Sequence, residues 1–142
     1  MLKNKSILID ILSKSLVSDD ILLFYGDVGA GKTTFITELC ETMGVDSVTS
    51  PTYTITNHYT QGDIHIIHSD LYRLKAIDYD VLSQIYSQDA ICMIEWADRL
   101  DADYMRYFKN FMQLFLEKDN DIVRVIPHGR FVNLMLKKAD AA

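Results

Sequence analysis

A three-layer α/β domain built on a mixed sheet is the fold this 142-residue chain predicts, and three observations carry it. An apolar run, Ile21 to Tyr25, leads straight into a glycine-rich loop and then into an amphipathic helical pattern. A second continuously apolar run, Ala90 to Ile94, has the character of a strand covered on both faces. Two further pairs of strand-like segments are joined by short polar turns, which adds antiparallel hairpins to a parallel centre.

The elements follow in order. Ile7, Leu8, Ile11, Leu12 and Leu16 share one helical face, and Asp19-Asp20 ends that pattern before the strand Ile21 to Tyr25. From Lys32, the residues Phe35, Ile36, Leu39, Cys40 and Met43 recur at helical spacing, with Gly44 where a C-terminal cap belongs. After the turn-rich TSPTYT come Ile55 to Tyr59 and Ile64 to His68 around Thr60-Gln61-Gly62-Asp63, a hairpin whose alternation predicts one exposed face. A short helix over 78–86, with Leu82, Ile85 and Tyr86 inward, leads to the buried strand that ends in Glu95-Trp96. A second hairpin pairs Phe111 to Leu116 with Ile122 to Ile126, and Phe131 to Lys138 closes the chain as a helix. With no repeat, low-complexity tract or Gly/Pro/Ser linker, residues 1–142 read as a single domain.

A chain of this size buries roughly two-thirds of its unfolded surface, so neither disulfide nor structural metal is required. Cys40 and Cys92 each sit in an apolar stretch without CxxC spacing, which predicts buried thiols and a reducing compartment. The first residues alternate polar and apolar, and no apolar run approaches membrane-spanning length; the expectation is a soluble, cytoplasmic protein without membrane attachment. A net charge of -6 supplies no long-range attraction to a polyanion, so any RNA role would run through partners.

The strongest motif is Gly26-Asp27-Val28-Gly29-Ala30-Gly31-Lys32-Thr33, a full match to the phosphate-binding P-loop pattern. Placed between a strand and a helix, its backbone N–H groups and the positive helix end face a phosphate chain. The glycines let the loop wrap closely. In this reading Asp27 to Gly31 supply the backbone wall, Lys32 meets the β- and γ-phosphates, the Thr33 hydroxyl ligates Mg²⁺, and Thr34 reaches an α-phosphate oxygen. The competing reading is a glycine-rich turn in which Lys32 merely solvates a helix start.

A P-loop also needs a carboxylate at a neighbouring strand end, and Asp70 and Glu95 are the candidates. Glu95 follows the continuously apolar strand expected beside the P-loop strand, so it is the metal-side carboxylate. Asp70 then lies near the γ-phosphate, positioning water, or else caps the turn at Leu71-Tyr72-Arg73. For Ser50 and Thr52, γ-phosphate sensing and a plain proline turn at Pro51 are equal readings. Trp96 either packs on the nucleotide, forms a partner surface or is a core residue. His65 and His68, three apart in a strand, point to opposite faces, which argues against a histidine metal site. The guanine-reading N-K-x-D pattern has no counterpart, which favours ATP. A small-metabolite kinase is the alternative, but Arg99, Arg106, Arg124 and Arg130 are too dispersed for a lid over a transferred phosphoryl group.

Four segments, GDVGAGKTTF, TSPTYTI, HSDLYRL and AICMIEWADRL, together resemble the TsaE family in order and approximate spacing over Ile21 to Leu100. The resemblance implies an ATPase that works with TsaB and TsaD, whose complex threonylcarbamoylates the adenosine beside the tRNA anticodon. By position it implies Lys32 as phosphate lysine, Thr33 and Glu95 as magnesium ligands, Asp70 as an essential acid and Trp96 as a functional tryptophan. The stretch from Arg73 to Ala90 is shorter than the family's usual one, and Val28 stands where leucine is usual.

Overall fold

In the computed structural model, the described residues are 1–46, 48 and 55–140, the side chains of 138–140 excepted. They form one seven-stranded sheet in the order β1-β7-β6-β2-β5-β4-β3. The strands are β1 (Leu2–Asn4), β2 (Asp20–Tyr25), β3 (Thr56–Gln61), β4 (Ile64–Asp70), β5 (Ile91–Glu95), β6 (Asn110–Phe115) and β7 (Ile122–His128). The helices are α1 (Lys5–Ser15), α2 (Lys32–Thr42), α3 (Tyr79–Ile85), α4 (Ala102–Met105) and α5 (Arg130–Asp140), with a 3₁₀ turn over Ala97–Arg99. β2 is parallel to both β5 and β6, and β4 is parallel to β5, whereas β3–β4, β6–β7 and β1–β7 are antiparallel. This is the mixed sheet that the hairpin and run patterns predict.

β2 is apolar at successive positions because the sheet is covered twice. Leu22 and Phe24 join Leu8, Leu12, Phe35, Leu39, Met112 and Phe131 beneath α1, α2 and α5. Ile21 and Leu23 join Ile67, Leu82, Ile85, Cys92 and Phe111 on the other face, toward α3 and the 3₁₀ turn. Each side chain of the run therefore meets apolar neighbours, as a doubly covered parallel strand requires.

Local signals set the helix positions. The Asn4 side chain caps α1 by accepting from Ser6 N at 3.0 Å and Ile7 N at 3.3 Å. The buried stripe of α1 is Leu8, Ile9, Ile11 and Leu12, with Leu16 packed beside it. Ile7 is 57% exposed, contrary to the expected face. At about 100° per residue it falls on the edge of a stripe centred on Leu8 and Leu12, whereas Ile9 lies inside it. Asp78 caps α3 through Val81 N at 2.9 Å.

The expected exposed face of the first hairpin belongs only to β3. Ile66, Ile67, His68 and Ser69 of β4 are all buried, because β4 has β5 on one side and β3 on the other. Of the polar residues in its alternating pattern, His68 is buried against Glu95 and Tyr59, and the Ser69 hydroxyl is buried with no hydrogen-bond partner among the described residues. At the opposite edge, β1 has no counterpart in the sequence reading. Its three residues gain strand character from the ladder they make with β7, Leu2 opposite Arg124 and Asn4 opposite Ile122.

Asp20, 1% exposed, begins β2 and accepts from Arg130 Nε at 2.8 Å. Arg130 Nη2 also reaches the Ser15 carbonyl at 2.6 Å, which ties the start of α5 to the end of α1. Both cysteines are free and buried, and burial raises the Cys40 thiol to about 12 and the Cys92 thiol to about 11. Neither is poised to be a thiolate ligand or nucleophile. Among the described residues no helix is long and apolar enough to cross a membrane.

Candidate phosphate-binding site

The loop between β2 and α2 has the backbone that its glycines permit. Gly26 has φ 149°, and a Cβ there would meet the Leu116 carbonyl oxygen at 2.6 Å and Ala30 Cβ at 2.9 Å. Gly31, at φ 95°, is the left-handed N-cap of α2, so the chain turns into the helix without a side chain over its open N–H groups. Val28 stands 74% exposed at the loop's tip.

The loop borders a cleft of about 380 Å³ lined by residues 28–34 together with Asp70, Tyr72, Glu95 and Trp96. Val28, Gly29, Ala30, Gly31, Lys32, Thr33, Thr34, Asp70, Glu95 and Trp96 thus meet in one place, as the motif spacing predicts. Asp27 is not in that lining; its carbonyl accepts from Lys32 Nζ at 3.0 Å. Thr52 and Ser50 lie outside the described residues.

Lys32 is only 5% exposed and folds back on its own loop, bonding the Gly26 and Asp27 carbonyls. Its ammonium also sits 4.4 Å from the centroid of the Trp96 ring. Burial pulls its pKa below the ordinary lysine value, against the opposing pull of Glu95, Asp70, Asp98 and Asp27.

Glu95 ends β5 in register with Phe24 of β2 on one side and Asp70 of β4 on the other. It is 3% exposed, and both its oxygens are used. Thr33 Oγ1 donates to Oε1 at 2.7 Å, and His68 Nε2 lies 2.6 Å from Oε2. Asp70 lies nearer solvent, and its Oδ1 accepts from Tyr72 N at 2.9 Å. It therefore closes the turn into residues 71–73 and also lines the cleft.

Trp96 adopts the left-handed region, φ 57° and ψ 45°, a strained state for a bulky residue and one that clusters at functional sites. Half-buried, it packs partly on the α3-side core and partly against Tyr72, with ring centroids 4.7 Å apart. The sequence reading missed two lining or supporting residues, His68 and Tyr72. Tyr72 follows from the turn at Asp70, but His68 needs the register between β4 and β5, which a hairpin pattern does not supply. His65 instead meets His58 across the hairpin, Nε2 to Nδ1 3.1 Å, away from Glu95.

Strand, loop, helix and adjoining strand-end carboxylates define the P-loop class of α/β fold. The crystal structure of Bacillus subtilis YdiB shares this fold at a TM-score of 0.61 and 23% identity, covering 99% of this chain and 93% of that one. The family described as "Threonylcarbamoyl adenosine biosynthesis protein TsaE" matches residues 3–126, and the chain belongs to the TsaE family. Among relatives named "tRNA threonylcarbamoyladenosine biosynthesis protein TsaE", the Bacillus subtilis protein is 37% identical over 84 residues, 58% of this chain and 53% of its own length. The Nostoc protein is 37% identical over 99 residues, 63% of this chain and 60% of its own. The chain therefore spans little more than half the length of the curated relatives it matches.

Proposed function

We propose that residues 1–142 form one magnesium-dependent ATPase domain that supports threonylcarbamoylation of the adenosine beside the tRNA anticodon. In this reading it acts in the cytoplasm with TsaB and TsaD, and meets tRNA only indirectly through that complex. The observation that carries it is the 2.7 Å contact between Thr33 and Glu95 at the mouth of the phosphate loop. It brings a hydroxyl and a carboxylate oxygen together beside the loop's N–H groups, an all-oxygen donor pair that suits a hard divalent cation.

Thr33 and Glu95 would hold the cation, Lys32 would exchange its loop carbonyls for phosphate oxygens, and the loop amides would bind the remaining charge. Magnesium, when bound, neutralises charge on the β- and γ-phosphates. Asp70 faces the same cleft and is the residue suited to orient water at the γ-phosphate, while Trp96 and Tyr72 wall off the side of the site. ATP, rather than a guanine nucleotide, is the expected substrate. The name shared by the relatives supports the pathway, and no observation favours the small-metabolite kinase.

The test is phosphate release from ATP by the isolated protein, then with TsaB and TsaD, then with tRNA added. Magnesium-dependent release that rises with the two proteins supports the reading. Transfer of phosphate to a small metabolite with no response to either protein would replace it.

A further inference from the structure

We infer that His68 is the positioning residue for Glu95, held by a hydrogen-bond chain from β3 that fixes one carboxylate oxygen and leaves the other to Thr33 and the cation. The inference rests on the reading of Thr33 and Glu95 given above. His68 is fully buried, and its Nε2 lies 2.6 Å from Glu95 Oε2. Its Nδ1 lies 3.3 Å from Tyr59 Oη, and Tyr59 Oη lies 3.4 Å from Asn57 Nδ2. The chain thus runs from the sheet's edge strand through β4 to the end of β5.

The donors fix its direction. A carboxylate oxygen only accepts, so His68 Nε2 is the donor to Glu95 Oε2. That places a ring proton on Nε2, aimed at Glu95 Oε2, and leaves Nδ1 facing the Tyr59 hydroxyl. Thr33 donates to Oε1 from the opposite side. Two donors, Thr33 Oγ1 and His68 Nε2, therefore converge on one carboxylate. Without His68 the terminal torsion of Glu95, which is intrinsically broad, loses its restraint, and Oε2 is left buried without a partner. Partners of this kind, which orient a metal-ligating carboxylate, typically alter metal affinity by about 10–100-fold when removed.

The measurement is Mn²⁺ binding, followed by electron paramagnetic resonance, to the protein carrying a non-hydrolysable ATP analogue, with analogue affinity in the absence of metal as the control. His68→Ala is expected to weaken Mn²⁺ binding by about 10–100-fold, and His68→Gln, which restores an N–H donor, to recover part of that loss. Metal-free analogue affinity should match wild type in both. A folded His68→Ala protein with wild-type Mn²⁺ affinity overturns the inference while leaving the function intact. Failure of the wild type itself to take up Mn²⁺ with the analogue overturns the metal reading beneath it. Should His68→Ala not fold, ¹⁵N resonances of the wild-type imidazole decide: a proton on Nε2, with Nδ1 shifted in Tyr59→Phe, supports the chain, and a proton on Nδ1 alone refutes it.

Discussion

Asp70 and Glu95 end adjacent parallel strands in direct register, yet only Glu95 is sealed from solvent. Glu95 is held from two sides, by Thr33 and His68, whereas Asp70 Oδ1 takes a backbone N–H from Tyr72. The difference suits the different roles proposed for them. Glu95→Gln should leave metal-free nucleotide binding near wild type and remove most of its magnesium dependence, read by titrating nucleotide at several magnesium concentrations. Asp70→Asn should preserve magnesium-dependent binding and lower turnover by about 10²-fold or more, since a water-positioning acid acts on the chemical step. The reverse pattern would exchange their roles.

Lys32→Ala should abolish hydrolysis and weaken nucleotide binding while the fold persists. The Lys32 side chain is buried against its own loop and the Trp96 ring, outside both packed layers. Circular dichroism and a thermal melt would verify folding. Unchanged turnover in a folded variant would contradict the phosphate-site assignment.

The isolated protein should hydrolyse ATP slowly. No arginine lines the cleft among the described residues, and Arg106, Arg124 and Arg130 are engaged with Asp103, the Phe115 ring and Asp20. An arginine supplied from outside is typically worth about 10³–10⁵ in rate, so TsaD or the TsaB–TsaD pair should accelerate turnover strongly. Steady-state rates with each protein alone and together would measure this. Fast, partner-independent turnover would show a self-sufficient site.

Stability should fall on mild acidification partly through His128. Its ring stacks on Phe111 at 4.1 Å and its Nε2 meets Gln113 Oε1 at 3.2 Å, and burial lowers its pKa below the ordinary value. The folded state then binds fewer protons than the unfolded state once pH drops through the unfolded pKa of about 6.5. Stability is therefore lost from about that pH downward, and the loss levels off below the folded pKa. His128→Gln should flatten this limb of a Tm-against-pH series between about pH 7 and 5. An unaltered slope would locate the acid sensitivity elsewhere.

Much of this site was legible because its chemistry is local in sequence. The phosphate loop needs only a strand, glycines and a helix start in succession, and residues 21–43 carry all three. Glu95 was legible because a doubly covered strand is apolar at every position until it ends. What the pattern concealed depends on pairing. Whether IHIIHSD lies at an edge or inside a sheet is decided by its pairing with β5, which its own residues do not announce. β1 was missed for the same reason, since Leu2–Asn4 become a strand only through β7. Ile7 was misplaced because a stripe inferred from apolar spacing is ambiguous at its margin, and packing against the sheet selects Ile9 instead.

Lys32 bonded to the carbonyls of Gly26 and Asp27 makes the loop its own provisional ligand. Whatever enters must replace ion–dipole contacts with something that attracts an ammonium more strongly than two carbonyl oxygens do. A polyphosphate meets that condition, while a nucleoside or a sugar lacking charge does not. In the proposed function this contact would therefore act as a threshold on ligand charge.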